Sequence, residues 1–218
     1  MTPALSSKSF NHKISTNMRF ALAVFVSFFV LILAFAFPSN AHAAQRNWDG
    51  GGVDTDWNTC ANWSSDTCPL AADTVLFDAT STKNVTIASS TMTVAGMTIN
   101  AGYSGTISFG SSVVSIAGPF TQSAGTLTLS SATTTFRGDT LFNGGTTNHN
   151  SGLVQFANTS FTTINATTTG VTFNNVLFDY IHGSGGTTII QLGSDMTVDG
   201  NLLFKNNSTN NAPLTIRS

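Results

Sequence analysis

Ile116-Ala117-Gly118 and, twenty residues further on, Phe136-Arg137-Gly138 are two copies of one short phrase: an apolar residue, a variable residue, then glycine. With asparagine allowed in the third place, the phrase recurs at Val94-Ala95-Gly96, Phe156-Ala157-Asn158, Phe173-Asn174-Asn175 and Val198-Asp199-Gly200. The third positions are separated by 22, 20, 20, 17 and 25 residues. A second series runs beside the first, glycine followed by a short β-branched or apolar stretch: Gly105-Thr-Ile-Ser-Phe109, Gly125-Thr-Leu-Thr-Leu129, Gly152-Leu-Val-Gln-Phe156 and Gly170-Val-Thr-Phe173. A unit this short, holding two or three brief strands, cannot bury an apolar face alone. Stacked on a copy of itself it can. Glycine or asparagine at one phase is expected where each turn needs a left-handed bend. Gly96, Gly118, Gly138, Asn158, Asn175 and Gly200 are therefore predicted to occupy one equivalent bend on successive turns.

The fold expected is all-β, a parallel β-helix of about six turns over residues 84–218. Inward Val, Ile, Leu and Phe would stack about 4.8 Å apart along the axis. The uneven spacing predicts loops of variable length at one corner, the longest from Tyr180 to Thr187. An antiparallel β-sandwich is the alternative, since it too shows short strands and regular turn signals. Against it stands the scarcity of two-residue hairpin signals, Asn143-Gly144 and Asp199-Gly200 excepted.

Working outward, the N-terminal 43 residues read as a targeting segment. Lys8, Lys13 and Arg19 precede an apolar run from Phe20 to Phe37, interrupted only by Ser27. Pro38 ends the run, and Ala41-His42-Ala43 supplies a small-x-small site with cleavage expected between Ala43 and Ala44. The rival is an uncleaved anchor, because the run just reaches spanning length; membrane contact is expected only in that case. The sequence thus predicts export by the general secretory route to the cell surface or the medium.

Beyond residue 43 the chain has five basic residues against ten aspartates and no glutamate, an excess of five negative charges. Nucleic acid is an unsuitable partner, since it requires a basic stripe. Thr, Ser, Asn and Gly replace the missing charges, and strong helix formers are scarce, so no long helix is expected. Residues 44–83 differ in texture: they hold Trp48, Trp57, Trp63, both cysteines and six of the ten aspartates. Cys60 and Cys68 enclose a short polar loop, and in an oxidising compartment a disulfide closing it would contribute about 2–3 kcal/mol. A metal or redox pair is the alternative, without a nearby His or CxxC spacing to support it. Stacked turns leave open sheet edges that invite aggregation. The Trp-rich segment is placed to cover the first. At the other end Leu214-Thr-Ile-Arg-Ser218 reads as a strand, which suits a fragment of a longer protein or an end awaiting a partner.

The segment Trp48-Asp-Gly-Gly-Gly52, Trp57, Asn62-Trp63-Ser64, Pro69 and Asp73-Thr-Val-Leu-Phe77-Asp78 resembles the opening unit of large repeat-rich bacterial surface proteins. These include autotransporter-type passenger domains and filamentous-haemagglutinin-like adhesins. The resemblance covers about 30 residues plus the repeat texture. It implies a right-handed parallel β-helix, export and a structural or adhesive role at the envelope. Cys60 and Cys68 depart from the pattern, and no anchoring motif follows.

Chemistry-bearing residues are sparse. Paired carboxylates would suggest glycoside cleavage, but Asp139, Asp179, Asp195 and Asp199 fall at four different phases of the repeat, and Arg137 and Lys205 likewise differ in phase from each other. Asp49, Asp54 and Asp56 in a Gly-rich loop offer the oxygen ligands that Ca²⁺ takes, without a recognised loop spacing. His149 and His182 stand alone in polar loops, and Gly-x-Ser-x-Gly does not occur. No catalytic residue, cofactor or metal is assigned. The tryptophans suit capping of a β-core more than stacking on sugars. The function expected is a non-catalytic structural or adhesive surface module whose partners would be cell-surface glycans or envelope proteins. A carbohydrate-binding module or carbohydrate-active β-helix enzyme is the alternative, with a secreted hydrolase or lyase behind it.

Overall fold

Val94, Ile116, Phe136, Phe156, Phe178 and Phe204 sit directly beside one another on six adjacent strands, at steps of 22, 20, 20, 22 and 26 residues. That column is the spine of the fold. The structure is a computed structural model describing residues 43–158, 164–168, 170–180, 188–193, 195–206 and 214–217. Among them every strand ladder is parallel, and each strand pairs with its counterpart one coil away. The chain is a parallel β-solenoid of about five turns, close to the expected six, with almost no helix. The antiparallel sandwich is ruled out.

Each coil visits three faces in the same order. The first face runs Gln45–Asn47, Thr74–Phe77, Gly96–Ile99, Phe120–Gln122, Thr140–Phe142, Ile164–Thr168, Thr188–Leu192 and Leu214–Arg217. Next comes a narrow face, Val85–Thr86, Thr106–Ser108, Thr126–Thr128 and Thr146–Asn148, with a separate pair, Thr172–Phe173 and Thr197–Val198, in the last coils. The third face stacks Thr91–Val94, Val113–Ile116, Thr133–Phe136, Leu153–Asn158, Asn175–Tyr180 and Leu202–Asn206. Strand alternation sends Val85, Ile107 and Leu127 of the narrow face inward, all fully buried, with the Thr and Ser between them facing out.

The core is a column of rings. Phe120 lies 4.9 Å from Phe136 and 5.0 Å from Phe142, and Phe136, Phe156, Phe178 and Phe204 stack face to face at 5.8, 5.1 and 5.3 Å. Several polar side chains are buried with it, Gln122 and Thr140 among them. Gln122 is fully buried, receiving the Thr147 hydroxyl at 2.7 Å and donating to the Thr146 carbonyl at 3.1 Å. Thr140 donates to the Gly138 carbonyl at 3.1 Å. Both residues are satisfied, as buried polar groups must be.

The bend prediction needs correction. None of Gly96, Gly118, Gly138 and Gly200 has positive φ; the left-handed glycines include Gly110, Gly125 and Gly145. Gly118 and Gly138 do stack at the corner between the third and first faces, but glycine is required there by crowding. A Cβ on Gly118 would lie 2.3 Å from the Ala95 carbonyl oxygen, and one on Gly138 would lie 2.4 Å from the backbone of Gly118. Gly96 already belongs to a first-face strand, and Asn158 ends a third-face strand beside Tyr180. Asn175 opens a third-face strand opposite Leu153, and Gly200 donates its N–H to the Asn174 carbonyl at 2.7 Å. Phe173 and Val198 pair with each other on the separate two-stranded ladder, so they are not members of the Phe136 column. In the second series, Gly105 and Gly125 occupy one corner, where Gly145, not Gly152, is the third member: Thr126 N–H donates to Gly105 O and Thr146 N–H to Gly125 O.

Candidate functional site

The N-terminal end is closed by aromatic packing. Trp48, Trp57 and Trp63 are buried, with Trp63 edge-on to Trp48 at 5.1 Å and to Trp57 at 4.6 Å, and Phe77 beneath all three. Two of the indole N–H groups find carbonyls: Trp63 to Trp57 O at 2.8 Å, Trp48 to Lys83 O at 3.1 Å. Tyr103 OH donates to the same Lys83 carbonyl at 2.9 Å, and burial pushes its phenol pKa up. The rings face the core and not the solvent, so sugar stacking on them is not available. Cys60 and Cys68 are disulfide-bonded beside this cap, next to the short helical turns Cys60–Asn62 and Ser64–Asp66. Cap and solenoid lie within one compact unit, His42–Ser218.

The aspartates considered as calcium ligands do not converge. Asp49 accepts from Gly51 N–H at 3.0 Å; Asp56 accepts from Asn58 N–H at 2.9 Å. Asp54 is held by the Thr59 hydroxyl at 2.9 Å, Asp56 N–H at 3.1 Å and the Asn62 amide at 3.0 Å, and the first two of these contacts keep its carboxyl below the usual range. The oxygen cage that the Gly-rich loop does form is filled from within. Lys83 Nζ donates to Gly50 O at 3.1 Å, to Gly52 O and to Asn62 Oδ1 at 3.2 Å. An ammonium thus stands where a cation ligand set would otherwise gather. Among the described residues no three His, Cys, Asp or Glu side chains group as a metal site.

In the repeats, the true phase rearranges the charges. Asp179 and Lys205 fall beside each other on adjacent strands and pair at 3.5 Å, while Gln155 donates to Asp179 at 2.9 Å. Their phases differ only when counted from Phe173 and Val198; counted from Phe178 and Phe204 they coincide. His149 Nδ1 accepts from Ser151 N–H at 3.0 Å, which leaves the proton on Nε2, 3.7 Å from Asp199 Oδ2. His182, the Phe20–Phe37 run and the loop after Tyr180 lie outside the described residues, and among those described no helix is long and apolar enough to cross a membrane.

What the repeat does present is a regular polar surface. On the narrow face Thr106, Thr126 and Thr146 form one column, and Thr86, Ser108, Thr128 and Asn148 a second, each residue directly beside its counterpart one coil on. The pattern Thr-x-Ser/Thr at Thr106-Ile107-Ser108 and Thr126-Leu127-Thr128 signals it in the sequence. A second feature that sequence reasoning misses is Asp73, whose side chain is 3 % exposed. It accepts from Ala44 N–H at 2.8 Å, Leu70 N–H at 3.0 Å and Arg46 Nε at 3.3 Å. Burial works to raise its pKa, and these donors outweigh it, leaving the carboxyl below its ordinary value. Comparison of the whole chain with known proteins matches no family model, no curated protein and no solved structure.

Proposed function

We propose that the protein is an exported, non-catalytic structural or adhesive module of the cell surface, whose solenoid displays a periodic hydroxyl face. The observation that carries this reading is the registry of the narrow face, where hydroxyl-bearing residues, with Asn148 at the end of one series, repeat once per coil in two columns. Inter-strand spacing places neighbours in each column about 4.8 Å apart. Such an array offers many identical weak contacts to an extended partner, a glycan chain or an envelope protein, and contacts of that kind gain strength by number. Further support comes from the aspartates: Asp54, Asp56 and Asp73 are engaged in turns and caps, and Asp179 in an ion pair, so they hold the chain in shape. Export is supported by the Lys8-to-Ala43 leader and by the disulfide, which persists outside reducing compartments.

The test is fractionation of cells making the full chain, combined with a glycan array probed with the exported protein. Surface or extracellular protein that binds extended glycans, and loses them when Thr106, Thr126 and Thr128 become Lys, agrees with an adhesive role. Surface protein that binds no glycan narrows the reading to a structural role. Release of reducing sugar from a polysaccharide, or retention of the chain in the cytoplasm, overturns it.

A further inference from the structure

We infer that Asp73 is a built receptor for the α-ammonium group of a chain beginning at Ala44, so that removal of the leader creates the ion pair that fastens the first strand. The inference rests on the reading that the chain is exported and cut between Ala43 and Ala44.

The nitrogen of Ala44 already lies 2.8 Å from Asp73 Oδ1. Around it the backbone is fixed: Thr74 N–H donates to Ala44 O at 2.9 Å, and Gln45–Asn47 pairs with Thr74–Phe77 as the outermost strand of the first face. Asp73 is anchored in turn, its N–H on Leu70 O at 2.9 Å and its carbonyl accepting Ala95 N–H at 2.8 Å. The charged groups facing Ala44 N are Asp73, through Oδ1, and Arg46, which shares the carboxylate through Oδ2 at 3.3 Å. Ala43 is exposed while Ala44 is half-buried.

In the uncut chain the donor is a neutral amide with one hydrogen. Hydrolysis breaks the bond between the Ala43 carbonyl carbon and the Ala44 nitrogen. Water supplies a hydroxyl to the carbonyl and a hydrogen to the nitrogen, which takes a further proton from solvent. The same atom then carries a full positive charge against a buried carboxylate, a contact about twice as strong as a neutral hydrogen bond. Cleavage one residue earlier or later would move the charge by about 3.8 Å and lose it. The position of the cut is therefore written into the folded product as well as into the leader.

The paired amine should have its pKa raised above the ordinary value of about 8. Its contribution is present in full below that unfolded value and fades as pH rises through the higher folded one. The experiment uses protein exported from the full-length precursor, N-terminally sequenced and then acylated over a range of pH, with the Ala44 amine followed by mass spectrometry. The expected result is a raised amine pKa that returns to the ordinary value in Asp73→Asn. Near neutral pH the paired amine should be acylated about tenfold more slowly than in Asp73→Asn, because only the free amine reacts. Where Asp73→Asn fails to reach the medium, the wild-type protein still decides: acetylating its α-amine should lower Tm by about 2–4 °C at pH 7 and less above about pH 9. An N-terminus other than Ala44 overturns the cleavage reading. An N-terminus at Ala44 with an ordinary amine pKa and an unchanged Tm overturns the pairing alone.

Discussion

Gly138 shows how a residue can be recognised in the sequence for a reason that the fold does not use. Its recurrence with Gly118 marks a corner, and a left-handed bend is the usual cause of such glycines. Here the backbone is ordinary and the coils simply lie too close for a side chain. The two causes make opposite predictions for asparagine, which tolerates left-handed φ but still carries a Cβ. Gly138→Ala and Gly138→Asn should both destabilise, by about 1–3 kcal/mol, through overpacking. At Gly170, with φ of +67° and nothing within 4 Å of a Cβ, alanine should cost about 1 kcal/mol and asparagine little. Urea denaturation of the four variants checks the contrast, and equal tolerance of asparagine at both sites would contradict it. Gln122 is invisible to sequence reasoning because its partners, Thr146 and Thr147, lie one coil away. Gln122→Leu removes both bonds from a fully buried amide to groups one coil away, an expected loss of about 1–3 kcal/mol in the same assay.

At the scale of elements, the cap is the more legible half of the chain, since three tryptophans and two cysteines within 21 residues mark it by composition alone. Its electrostatics are not legible. The Gly-rich loop and its acidic neighbours look like a cation site, and the cation is Lys83, more than thirty residues beyond Gly50 and supplied by the start of the solenoid. Asp73 likewise gathers Ala44, Arg46 and Leu70 from different sequence distances. Because its folded pKa is depressed below 3.8, its contribution is present above that unfolded value and lost as pH falls through the lower folded one. Acid titration of stability below about pH 4 should therefore be shallower in Asp73→Asn than in the wild type. An unchanged acid slope would mean that Asp73 does not stabilise the cap. Reducing the Cys60–Cys68 bond should weaken the cap by about 2–3 kcal/mol and shift Trp fluorescence, since Trp63 lies within the loop and Trp57 packs against it, while the far-ultraviolet β signal of the coils stays in place. Loss of both signals together would show that the disulfide holds more than the cap.

Across the whole molecule, the period is readable and the phase only partly so. The sequence aligns Val94, Ile116, Phe136 and Phe156 correctly; the last two coils slip because each holds two apolar candidates, Phe173 and Phe178, then Val198 and Phe204. A one-dimensional text cannot choose between them, whereas ring stacking can: Phe156 to Phe178 and Phe178 to Phe204 lie at 5.1 and 5.3 Å with nearly parallel planes. The slip also hides the Asp179–Lys205 pair. A molecule built this way should fail locally, because each coil touches chiefly its neighbours and stability is a sum of coil and interface terms. Phe178 stands between Phe156 and Phe204 in the third-face column, several coils from the Trp cap. Phe178→Ala removes a fully buried ring and should cost the neighbouring coils about 3–5 kcal/mol. Hydrogen exchange should then accelerate in Leu153–Asn158, Asn175–Tyr180 and Leu202–Asn206, while Thr74–Phe77 and Gly96–Ile99 retain their protection. Phe136→Ala, in the middle of the stack, should spread the loss toward both ends. Uniform acceleration from Val75 to Phe204 in the Phe178 variant would mean that cap and coils open as one cooperative unit, and the nearest-neighbour account of this solenoid would have to be given up.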